Sequence, residues 1–264
     1  MDNPVSINQL GISFETLSVP PPYSHTYSFS IKLAPNGINL QYQLAYTHRD
    51  ELSEEEIWEE GFSGQDDFSW AGSLPSVWRD ALLAVWKSTQ LVSEEKYAKP
   101  AENGLLLTAE LTNGQQVTGV PEEIASWEYF LQELTQAVYE AAQRERPLRI
   151  RYLKRSAQEE ELQLIITVHF LKRSLEIIRQ QGKQQGARTL SWAEAKPLLS
   201  TLYQLDYATE GGHSKMPNRS GEYLDPGDGQ WYQLGKETIN PGKIDFVEKL
   251  RQKLEYFDKS FSRQ

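Results

Sequence analysis

The stretch LLLTAELTNGQQVTGVPEEIASWEYFLQELTQAVYEAAQ, residues 105–143, holds two periodicities side by side. Its first part has two runs, Leu105 to Leu111 and Gln116 to Val120, flanking Asn113-Gly114. That dipeptide best tolerates the positive φ angles of a tight hairpin turn. Its second part spaces Ile124, Trp127, Leu131, Leu134, Val138 and Ala141 by three and four, which gathers them on one face of an α-helix. Pro121 suits the first position of that helix, where a missing N–H costs nothing, and Glu122 and Glu123 complement its positive end. Pro147 then closes the segment. A hairpin running into an amphipathic helix is the signature of an α+β chain with antiparallel pairing.

The pattern recurs on both sides. From Tyr27 to Tyr46, Tyr27, Phe29 and Ile31 alternate with Ser28, Ser30 and Lys32, the chain turns at Pro35-Asn36-Gly37, and Leu40, Tyr42 and Leu44 share one face of the return. From Leu148 to Leu171, Leu148, Ile150 and Tyr152 answer Leu164, Ile166 and Val168. Hairpins are therefore expected at 27–46, 104–120 and 148–171, packed with amphipathic helices. The helices are expected over 77–86, 121–143 and a C-terminal segment introduced by Asn240 and Pro241, with capping boxes at Ser53/Glu56 and Ser191/Glu194. The first 25 residues, with Pro20-Pro21-Pro22, read as irregular, and Asp66 to Leu74 reads as a loop. Residues 175–181 fit a helical turn or a strand equally.

A chain of 264 residues suits one large domain or two modest ones. No Gly/Ser-rich linker interrupts it and no repeat shows at 20–50-residue spacing, so a single composite unit over 1–264 is expected, with 91–103 as the internal boundary candidate. Zero cysteines exclude a disulfide scaffold, a thiol nucleophile and Cys-type metal sites. No secretory leader and no ~20-residue apolar run is present, so a soluble cytoplasmic protein without membrane contact is the expectation.

Charge is segregated. Residues 1–143 carry 6 basic and 21 acidic side chains, and residues 144–190 carry 11 basic and 5 acidic. The acidic part repels phosphates, whereas the basic 144–190 segment could contact them. Arg149, Arg151, Lys154 and Arg155 are the candidate contacts there. Tyr152, the nearest base-stacking aromatic, alternates to the other strand face. A neighbouring acidic surface, in the same chain or in a partner, explains the same cluster.

Chemistry-bearing motifs are scarce. GxxxxGK, GxGxxG, GxSxG and HExxH are all absent, which disfavours P-loop and Rossmann nucleotide enzymes, nucleophile-elbow hydrolases and zincins. His48, Asp66 and Asp67 could form a metal site for hydrolysis, set against the simpler reading of a solvated turn and loop. Residues 208–235 form a polar, Gly/Pro-rich excursion holding Lys215, Arg219 and Trp231. Connections of that length are uncommon in compact domains unless functional or disordered. Mobility is expected at 209–220, with one of Trp231 and Tyr232 facing outwards.

The leading expectation is a protein-binding interaction module without catalytic chemistry or cofactor. A metal-dependent hydrolase or nuclease using His48, Asp66 and Asp67 is the first alternative. Nucleic-acid contact through 144–190 is the second.

Overall fold

The computed structural model of the chain describes residues 6–93 and 103–261, and it falls into two compact units, Met1–Glu145 and Arg146–Gln264. The division lies just beyond the long helix of residues 124–141, not at 91–103. Of that stretch, 94–102 lies outside the described residues.

In the first unit, β1 (Ile7–Thr16), β2 (His25–Ala34), β3 (Gly37–Tyr46) and β4 (Phe68–Pro75) form an antiparallel meander. A one-turn 3₁₀ segment and α1 (Glu54–Glu59) separate β3 from β4, and α1 begins on the expected Ser53/Glu56 capping box. The chain then runs straight from β4 into α2 (Ser76–Lys87), makes the short β5 (Leu91–Val92), and returns as the hairpin β6 (Asn103–Leu111) and β7 (Gln116–Pro121). β6 lies against the free edge of β1, giving a seven-stranded sheet in the order β4-β3-β2-β1-β6-β7-β5. Helix α3 (Ile124–Ala141) follows. Pro121 ends β7 and does not open the helix, because β5 claims that position: Leu91 pairs with Pro121. Asn113-Gly114 makes the hairpin turn, with Gly114 at φ +82°.

Two stretches read as irregular or loop are strands. β1 alternates Leu10, Ile12 and Phe14 with Gly11, Ser13 and Glu15, and β4 alternates Phe68, Trp70 and Leu74 with Ser69, Ala71 and Ser73. The period of two is present in both, and in β4 Gly72 interrupts the inward row between Trp70 and Leu74.

The second unit has the same connections. A meander of β8 (Leu148–Arg155), β9 (Leu162–His169), β10 (Ser174–Gln181) and β11 (Gln184–Ser191) runs straight into α4 (Trp192–Leu202). A short β12 (Asp206–Tyr207) follows, then β13 (Gly221–Asp225) and β14 (Tyr232–Gln233), with β13 on the free edge of the first strand, β8. The sheet order is β11-β10-β9-β8-β13-β14. Here the short strand pairs with β15 (Thr238–Ile239) before the closing helix α5 (Phe246–Lys259). Residues 174–181 are therefore strand. α4 keeps its Ser191/Glu194 capping box and accommodates Pro197 without ending. α5 is capped by Asp245, while Asn240 Oδ1 accepts from the Phe246 and Val247 amides.

Each sheet meets helices on one face. In the first unit α2 touches β3 and α3 touches β4 and β7. The strand residues Leu10, Ile12, Phe29, Ile31, Leu40 and Leu107 and the helix residues Trp78, Leu82, Trp127, Leu131 and Leu134 are all buried. Among the described residues no helix is long and apolar enough to cross a membrane.

Leu131 is fully buried on the α3 stripe. Leu131→Ala is expected to cost ~2–5 kcal/mol in urea denaturation, as large-to-small core changes do. A change within ~0.5 kcal/mol would place the stripe at the surface.

Candidate functional site

The face of the first sheet opposite the helices carries the other half of each alternation. Strand register sets its residues in rows. One row runs Ser69, Gln43, Ser28, Ser13, Leu106 across β4, β3, β2, β1 and β6. The next runs Ala71, Gln41, Ser30, Gly11, Thr108, Thr118 and reaches β7. Neighbours within a row stand ~4.8 Å apart, and rows are separated by ~7 Å along the strands.

Over the middle of these rows lies a trough of about 300 Å³, lined by Ser13, Ser28, Ser30, Gln41, Gln43 and Thr108 together with Ile12, Phe29 and Leu106, with Gly11 in its floor. Among the described residues no charged side chain lines it; Lys32, Gln9 and Glu110 form the row at one end. Thr108 Oγ1 accepts a 3.2 Å hydrogen bond from Thr118 Oγ1. The hydroxyls of Ser13, Ser28 and Ser30 and the amides of Gln41 and Gln43 are left to solvent among the described residues.

Gly11 makes the trough. Its φ is not positive, and an added Cβ would stand 3.6 Å from the Thr108 carbonyl oxygen and 3.8 Å from Thr108 Cβ, both ordinary contacts. Neither turn geometry nor crowding demands a glycine here. Glycine inside a strand costs roughly 0.5–1 kcal/mol against alanine and often marks close approach by a ligand or another backbone.

The second sheet differs at the corresponding place. Leu153 and Tyr223 pair across β8 and β13 on the face away from α5 and form a buried cluster with Trp231. Residues 213–220 lie over this face. His213 forms an isolated bridge with Trp231, the Met216 sulfur is 3.9 Å from Gln163 Nε2, and the Pro217 carbonyl accepts a 2.6 Å bond from Arg155 Nη1. This covering explains the largest departure from the sequence reading. Trp231 is 2% exposed and Tyr232 is 3% exposed, because this end of the sheet has a core on both sides.

The other anticipated residues are dispersed. Arg151 grips the buried Asp225 with two nitrogens and stacks over the Trp231 ring at 4.8 Å. Asp225 also accepts from the amides of Gly227 and Gly229, holding the Asp-Pro-Gly turn. Arg155 pairs with Glu161. Arg149 and Lys154 are exposed at alternating positions of β8, so they point to opposite faces. Lys215 and Arg219 are exposed in the covering segment.

His48, Asp66 and Asp67 are each engaged separately. His48, at φ +58°, stands 3.4 Å from Glu51. Asp67 Oδ1 accepts from the Tyr46 amide at 2.9 Å. Asp66 accepts from the Ser63 amide and hydroxyl, each at 2.7 Å, and from Arg49 Nη1 at 2.8 Å. Arg49 in turn packs in the angle between Tyr46 and Phe62, its guanidinium carbon 3.7 and 4.7 Å from the two ring centroids. Among the described residues no group of three or more His, Asp and Glu side chains is arranged to hold a metal ion. The trough itself escaped the sequence reading, although the alternation of Ser28 and Ser30 was visible, because β1 was not recognised as the neighbouring strand.

No family model matches the chain, and comparisons with curated proteins and with solved structures likewise find no similar protein.

Burial by itself raises the Asp66 carboxyl, but the Ser63 donors and the Arg49 guanidinium outweigh it and hold the group below its ordinary 3.8. A depressed carboxyl contributes stability above its unfolded pKa and loses it as pH falls through the folded value. Asp66→Asn should therefore lower Tm by a constant amount above pH ~5, with the gap to the wild type closing below pH ~4. A gap independent of pH would show that the carboxylate charge contributes nothing.

Proposed function

We propose that the protein is an interaction module that binds a protein partner on the free face of its first sheet, and that it does no covalent chemistry there. The observation that carries this reading is the trough. It has a glycine floor that the fold does not require, and hydroxyl and amide groups that are left unpaired. Such a surface offers hydrogen bonds of both senses but, among the described residues, no base to activate its hydroxyls and no charge, which suits recognition.

The alternatives draw less support. A nuclease using Asp66 would need that carboxylate free, and it is committed to Ser63 and Arg49. Of the candidate phosphate contacts on β8, Arg151 and Arg155 are paired with Asp225 and Glu161, and the exposed Arg149 and Lys154 point to opposite faces. That pairing fits the intramolecular reading of the segregated charge.

A photo-crosslinking amino acid at Ser30 or Gln43, introduced in the full chain in its native cells, tests the reading. Discrete protein adducts are expected from both positions, competed by excess unmodified protein, with none from exposed Glu55 on α1. Equal labelling from all three positions, or none from the trough, would contradict a partner-binding face.

A further inference from the structure

The first unit's trough and the second unit's covered face occupy corresponding places in one plan. β1 and β8 are both the first strand of a four-stranded meander, both central, and both paired on their second edge with a strand, β6 or β13, that comes after the helix ending the meander and one short strand. The face away from the helices over β8 and β9 is crossed by residues 213–220, an irregular segment held there through one main-chain carbonyl and one side chain. The Pro217 carbonyl is held by Arg155, and Met216 rests against Gln163. Over β1 and β2 the outward side chains are Gly11, Ser13, Ser28 and Ser30, shorter than their counterparts, and the trough lies there.

We infer that this trough takes an extended, uncharged peptide segment of a partner protein, held chiefly through its main chain. The inference rests on the partner-binding reading above and names the occupant. Three features select it. The glycine floor admits close approach of a backbone. Serine hydroxyls and glutamine amides donate to carbonyls and accept from N–H groups alike, as an extended main chain requires. The neutral lining lies within a stretch that carries 21 acidic against 6 basic side chains, so an acidic segment is repelled, and a basic one would forfeit hydration of its charge in the trough without a paired carboxylate.

The test uses the full chain and a bead-bound library of octapeptides composed only of Gly, Ala, Ser, Thr, Asn, Gln, Pro and Met. Recovered peptides are resynthesised with a fluorophore and titrated by polarisation against the wild type, Gly11→Val and Ser30→Lys. Gly11→Val fills the floor with a residue suited to a strand; Ser30→Lys, at an exposed position, puts a charged stem in the trough even if the first variant folds poorly. Recovered peptides should bind the wild type and weaken ~10-fold or more in both folded variants, about 1.4 kcal/mol. No recovered binder, or equal affinity for the wild type and the variants, would overturn the inference. If trough crosslinks to a partner persist while no peptide binds, partner binding stands and the extended-peptide occupant falls. Maltoheptaose is titrated in parallel, and its binding with loss in both variants, in place of peptide, would also overturn it.

Discussion

The hydrogen bonding of one strand on both of its edges organises each unit. β1 is first in the chain of its unit yet lies in the middle of its sheet, with β2 on one side and β6 on the other. β8 holds the same position between β9 and β13. Once both edges are satisfied, every residue of the strand must face one side or the other. Leu10, Ile12 and Phe14 go to the helical side, so Gly11 and Ser13 have only the outer side to occupy. The trough is thus a consequence of where the returning hairpin docks. Without β6 against β1, Leu106 and Thr108 would not close it.

The two units diverge in how they treat the outer face. The second sheet places Leu153, Tyr223 and Trp231 there and covers part of it with residues 213–220, aided by the Arg151–Asp225 pair beneath the Asp-Pro-Gly turn. The first sheet places small hydroxyl residues and glutamines there. Burying such groups without partners is costly, so a face of this composition is stable in water and favourable for binding only to something that returns the hydrogen bonds.

Much of the architecture could be read from residue patterns. The hairpins about Asn36-Gly37 and Asn113-Gly114, the α3 stripe from Trp127 to Val138, and both capping boxes follow from local chemistry. What escaped had non-local causes. β1 and β4 have sound alternation, but Gly72 breaks the apolar count of β4, and it is pairing, of β1 with β2 and β6 and of β4 with β3, that makes them strands. Pro121 has good helix-start chemistry, yet tertiary pairing with Leu91 decides its state. The repeated plan left no sequence period, because the units differ in loop lengths and in the residues on their outer faces. Trp231 was expected at a contact surface since local alternation cannot show that both faces of its strand are covered. The trough was the least legible feature, being assembled from four strands of which only β2, β3 and β6 were anticipated.

The central claim is that the outer face of the first sheet is open to solvent in the free protein. Side-chain amide signals of Gln41 and Gln43, followed by NMR in the full chain with a soluble gadolinium chelate, test it most directly. The account predicts broadening as strong as that of Gln65 in its exposed loop, with the Leu10 and Ile31 backbone amides far less affected. Protection of Gln41 and Gln43 to the level of those buried positions would mean that the face is already covered, and the account of the trough as a recognition surface would be contradicted.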